Sequence, residues 1–109
     1  MSPEQLRLKI EAEIGGDWTR SNAHGLDLKR CLLREPVLRP YHDSFYDPLK
    51  PEAPGNRPVA HLWLVLEEDP VGKDGYEIVY DDHDDLFGLA VGGMFIGSHG
   101  NFVDTLDAM

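Results

Sequence analysis

Nine carboxylates lie between Glu67 and Asp85 (Glu67, Glu68, Asp69, Asp74, Glu77, Asp81, Asp82, Asp84 and Asp85), and the only base in that stretch is Lys73. Like charges gathered this closely repel, so the groups must face water, hold a cation or meet a basic partner. The densest run, Asp81-Asp82-His83-Asp84-Asp85, sets oxygen ligands at alternate positions, as calcium loops do. A calcium loop then needs Gly at its sixth position and Glu at its twelfth, whereas Leu86-Phe87 follow at once as strand residues. The run therefore reads as a solvated hairpin turn. A divalent-cation site shared with Glu67-Glu68-Asp69 would require two turns that a simple meander puts at opposite ends of a sheet, so no metal ligand is assigned.

Nucleophilic chemistry has two candidate starting points. Cys31 with any of His24, His42, His61, His83 or His99 has the parts of a thiolate and base pair. Cys31 lies among Leu28, Leu32 and Leu33, however, and reads as a small buried hydrophobe. Ser98-His99-Gly100-Asn101 near Asp104 collects a hydroxyl, an imidazole and a carboxylate, but a triad is defined by geometry, and the segment reads as a turn and helix cap. His61, inside an apolar run, reads as a hydrogen-bonded core histidine. A small hydrolase using His99 or Cys31 is the enzymatic alternative, and no catalytic residue is assigned. Gly88, Gly92, Gly93, Gly97 and Gly100 match neither phosphate-loop pattern, so no nucleotide or other cofactor is expected.

Recognition fits the residue types better. Tyr41, Phe45 and Tyr46 stand in a proline-rich segment and could supply contact area, while Glu67, Glu68, Asp69, Asp81, Asp82, Asp84 and Asp85 could steer a basic partner. Across the chain the charge is lopsided: residues 1–58 are neutral, and residues 59–109 carry the whole formal charge of −10. With no cluster of Lys or Arg, nucleic acid and anionic membrane are poor ligands. The expected function is thus a small acidic interaction or regulatory module, such as an inhibitor or immunity-type protein that covers a basic surface. One cysteine excludes an internal disulfide and suits a reducing cytoplasm. The first residues lack a signal peptide's basic start and apolar core, and the apolar run Leu62 to Leu66 is too short to span a bilayer.

The elements that must position these groups fit one domain of 109 residues with a single core. Ser2-Pro3-Glu4-Gln5 is an N-cap, a proline at the first helical position and a capping-box glutamine, which predicts a helix from about Pro3 to Ile14 ended by Gly15-Gly16. Alternation of Leu6, Leu8, Ile10, Ala12 and Ile14 argues for a strand there, but the caps and composition favour the helix. Asp17 to Gly25 reads as a loop anchored by Trp18, and Leu26 to Leu33 as a strand. Six of the eight prolines fall in residues 36–58, which predicts a long connection and excludes a central strand. Val59 to Glu67 is the strongest strand, covered on both faces. Tyr76 to Tyr80, Leu86 to Val91 (with a bulge at Gly88) and Met94 to Ile96 follow between turns, and Asn101 caps a short terminal helix. The expected fold is α+β: an antiparallel meander of three to five strands with an N-terminal helix and a short C-terminal helix.

Overall fold

The capping residues at the N-terminus do what their spacing predicts. The computed structural model describes every residue except 23, 44, 45, 54 and 55. In it, α1 (Pro3–Ile14) starts at Ser2, whose hydroxyl accepts from the Gln5 N–H while the Gln5 side chain accepts from the Ser2 N–H. Gly15 ends the helix at φ 66, a left-handed cap conformation that a residue with a Cβ adopts at a cost. Leu6, Ile10 and Ile14 form the buried stripe, and Leu8 is left 59% exposed, which settles the conflict between strand alternation and helical spacing.

Two expectations about the next segment fail. Leu26 to Leu33 is not a strand: Asp27 caps a single turn, α2 (Leu28–Cys31), and the strand β1 begins only at Leu32 and runs to Asp43. The predicted connection over 36–58 therefore loses its first eight residues to β1, even though Pro36 and Pro40 lie in them. The reason is edge geometry. Alternate residues of a strand direct their backbone groups to the same side. The Asp43 N–H donates to the Pro58 carbonyl, towards β2 (Val59–Glu67), whereas the His42 N–H donates away from β2, to Gly93. Pro40 shares the His42 side, where no neighbouring strand needs its missing N–H, so it is tolerated as edge strands tolerate proline.

From β2 the chain continues as the expected meander through β3 (Tyr76–Asp81), β4 (Leu86–Val91) and β5 (Met94–Gly100), and ends in α3 (Phe102–Ala108). The fold is α+β, with five strands. What the pattern did not disclose is closure: β1 also pairs with β5, in parallel, through His42↔Met94 and Asp43↔Phe95, so the sheet closes into a barrel.

Closure gives the sheet two buried faces. The outer one packs Leu66, Ile78, Tyr80, Phe87 and Leu89 against Leu6 and Ile10 of α1 and Phe102 and Leu106 of α3. The inner one holds Tyr41, Ala60, Leu62, Leu64, Val79 and Ala90, with no helix residue among them, as expected for side chains enclosed by strands alone. A shift of register between Leu64 and Leu66 opposite β3 turns both Val65 and Leu66 to the helix side and returns Glu67 to the inner face. The expected bulge at Gly88 falls instead on its partner strand, because between paired positions β5 carries one residue more than β4 in two places. Gly88 itself serves close approach: a Cβ there would lie 2.5 Å from the Gly97 carbonyl oxygen and 2.6 Å from the Phe95 ring.

Candidate functional site

The two acidic turns lie at opposite ends of β3, as the meander requires, and they differ in how their charges are matched. In the β3–β4 turn each carboxylate has a partner within the chain. Asp81, nearly buried, meets the Arg57 guanidinium at 2.6 Å and accepts from the His83 N–H at 3.0 Å. Asp82 meets the Met1 amino group at 3.2 Å, and Asp84 meets the His83 ring at 2.9 Å. Asp85, in the left-handed region at φ 53, accepts from the Tyr80 hydroxyl at 2.5 Å and meets Lys9 at 3.4 Å. The Tyr80 hydrogen bond, with Lys9 second, holds the Asp85 carboxyl below its ordinary range.

At the other end, five carboxylates share one ammonium. Glu67 is nearly buried and receives Lys73 on both oxygens, at 3.0 and 2.9 Å. Lys73 takes a left-handed φ of 58 to reach it, its N–H bonded to the Asp69 carbonyl at 2.8 Å. Asp69 accepts from the Gly72 N–H, Glu68 exchanges backbone and side-chain bonds with Tyr76, and Asp74 is exposed. Glu77 is the Cα partner of Glu67 across the β2–β3 ladder. Burial, then the Glu67 charge, raises the Glu77 carboxyl above its ordinary range, against the opposing pull of Arg39 and Lys73.

Tyr41 was expected to supply contact area from a loop. It lies in β1, 3% exposed on the inner face, so its ring is core. Its hydroxyl has no hydrogen-bond partner among the described residues. Burial, then the charge of Glu77, drives its phenol far above the ordinary range. Tyr46 is half-buried beyond β1, its N–H on the Asp43 carbonyl at 3.3 Å. Phe45 lies outside the described residues. Glu77 and Tyr41 thus join Glu67 on one inner face, a grouping that the pairing of β3 with β2 and the closure of β1 on β5 create together. The one sequence signal for it was the alternation of the strand, which puts Tyr76, Ile78 and Tyr80 on one side and Glu77 and Val79 together on the other.

The residues of the enzymatic alternative are dispersed. Cys31 is buried with its Sγ 3.6 Å from the Glu68 carbonyl, and burial raises its thiol above the ordinary value. His99 is an exposed residue of β5 and not part of a turn; the cap of α3 is Asn101. His61, expected in the core, is exposed on β2 because Ala60 and Leu62 take the inner positions. Two grooves of about 390 Å³ flank α1, one beside Arg34 and Glu35 of β1, the other beside Asp85 and Asn101; neither is lined by a histidine or cysteine among the described residues. Among the described residues no three of His, Cys, Asp and Glu converge as a metal site would need. Compared with protein-family models, curated proteins and solved structures, the chain matches none.

Proposed function

We propose that this protein is a non-enzymatic interaction module, of inhibitory or regulatory kind, that binds a positively charged partner through the β2–β3 end of its barrel. The observation that carries the reading is the imbalance at that end: Glu67, Glu68, Asp69, Asp74 and Glu77 stand with Lys73 as the one base of their turn, whereas each acid of the β3–β4 turn holds a cation or imidazole of the chain itself. Unmatched surface charge raises association rate and selects the sign of a partner. Asp81, Asp82, Asp84 and Asp85 are accordingly assigned to holding the fold together, and Glu67, Glu68 and Asp69, with Asp74 and Glu77, to recognition.

The test is enrichment of partners from lysate, followed by titration of the recovered protein at about 50 and about 150 mM salt, which span a large change in screening. A basic partner whose affinity falls with salt and is lost on combining Glu68→Lys with Asp74→Lys, but kept by Asp84→Lys, supports the reading. Recovery of no basic protein, or affinity unchanged by the double reversal, overturns it.

A further inference from the structure

We propose that Glu67, Glu77 and the Tyr41 hydroxyl form a receptor for one guanidinium group, the side chain of an arginine on the partner, which enters by displacing Lys73. This rests on the reading of a basic partner and names the group that the partner inserts.

Three observations converge. Glu67 and Glu77 are paired across neighbouring strands, and like charges directly opposite destabilise a sheet unless a cation lies between them. Lys73 bonds only one of them: its Nζ meets both oxygens of Glu67, while the Glu77 carboxylate has no side-chain hydrogen bond or ion pair among the described residues and feels Arg39 and Lys73 only as charges beyond contact. The third observation is the Tyr41 hydroxyl, buried and unpartnered among the described residues, and on the same inner face. Tyr41 pairs with Ala60 of that face, and the row Asp43↔Phe95, Ala90↔Phe95, Glu77↔Ala90 carries the face around the barrel from β1 to Glu77. Buried hydroxyls are rarely left without a partner, and one that shares a barrel face with two carboxylates suits a donor shared with them.

An ammonium, with three donors on one atom, is already present and leaves Glu77 and Tyr41 unserved. A guanidinium presents five N–H groups in a planar fork, enough for both carboxylates and the phenol oxygen. Lys73 is built to leave: its side chain is 61% exposed, against 10% for Glu67, so it loses little by returning to water, whereas Glu67 needs a cation in place.

The probe is agmatine, a guanidinium and an ammonium joined by four carbons, with putrescine, which has an ammonium at each end, as the charge-matched control, each titrated by NMR against the wild-type chain and against Lys73→Met. Agmatine should bind saturably, about tenfold tighter to Lys73→Met than to wild type and about tenfold tighter than putrescine, and Tyr41→Phe or Glu77→Gln should each weaken it about tenfold. Should Lys73→Met fail to fold, the single variants Tyr41→Phe and Glu77→Gln decide the matter against wild type. No saturable agmatine binding, equal binding of putrescine, or binding untouched by Tyr41→Phe overturns the proposal. A partner bound through charge but indifferent to Tyr41→Phe and Glu77→Gln removes this receptor and leaves the interaction module standing; agmatine bound without any basic partner does the reverse.

Discussion

Arg57, two residues before β2, and Asp81, the last residue of β3, form a 2.6 Å ion pair whose carboxylate is almost wholly enclosed. Because Asp81 also accepts from the His83 N–H, the pair ties the segment before β2 to the β3–β4 turn. Removing the guanidinium leaves a buried charge without its counter-ion, which is more damaging than removing both groups together. Arg57→Met should lower unfolding free energy by about 1–3 kcal/mol, less than a fully buried pair would because the guanidinium is partly in water. Combining it with Asp81→Asn should recover part of the loss. Denaturant melts of the two single variants and the double variant check this; a double variant no more stable than Arg57→Met contradicts it.

Glu77 makes stability depend on pH with a sign opposite to most carboxylates. Its carboxyl is raised in the folded chain, so below the ordinary value of 4.5 it is protonated in both states and adds no penalty. As pH climbs through 4.5 the unfolded chain ionises first, which favours unfolding until the folded carboxyl also loses its proton. Burial does most to set this window and the charge of Glu67 adds to it, while Arg39 and Lys73 oppose; Tyr41, on the same inner face, stays a neutral phenol. Glu77→Gln should therefore be more stable than wild type near pH ~7, with the difference vanishing towards pH ~4. Equal thermal midpoints across that range, or a less stable variant at neutral pH, would falsify the assignment.

Local signals were legible and long-range ones were not. The capping box of α1, the strand β2 and the alternation of Tyr76, Ile78 and Tyr80 depend on neighbours within a few residues, and each stands where the pattern puts it. Pro36 and Pro40 misled because a proline's effect depends on whether its side of the strand has a neighbour, and that is decided by β2 and β5, far along the chain. The acidic turns were found, and their placement at opposite ends of β3 follows from the meander. Which acids were already matched was hidden, since Met1, Lys9 and Arg57 come from the neutral half of the sequence. Tyr41 drew notice as an aromatic and proved to be core, for the same reason that β1 was missed.

Gly88 offers a sharp test of the barrel's closeness. A methyl group there would meet a backbone oxygen of Gly97 at 2.5 Å, and a backbone cannot swing aside as a side chain can. Gly88→Ala should therefore cost about 1–3 kcal/mol as overpacking, despite alanine's better strand propensity. At Gly92, where φ is 57 and nothing lies within 4 Å of a built Cβ, the same change should cost only the left-handed backbone strain, about 1–2 kcal/mol. Urea midpoints check both changes, and a Gly88→Ala chain as stable as wild type would mean that β4 and β5 lie farther apart than a 2.5 Å contact allows.

Cys31 separates an interaction module from a thiol enzyme. A catalytic thiolate is exposed and has a lowered pKa, maintained by a nearby cation or helix terminus. Cys31 has the reverse: it is buried in the outer core beneath α1, its Sγ directed at the Glu68 carbonyl, and burial outweighs the opposing charge of Arg30 to raise the thiol. In native buffer near pH ~7.5 the thiol should react with an aromatic disulfide reagent only as fast as the protein opens, and denaturant should raise the rate to that of a free thiol. Cys31→Ala should lower stability by about 1–2 kcal/mol through the lost packing and leave partner binding at the β2–β3 end unchanged. Rapid labelling of the folded chain would instead show an accessible thiolate, and the arrangement of α2 against β1 would have to differ from the one described.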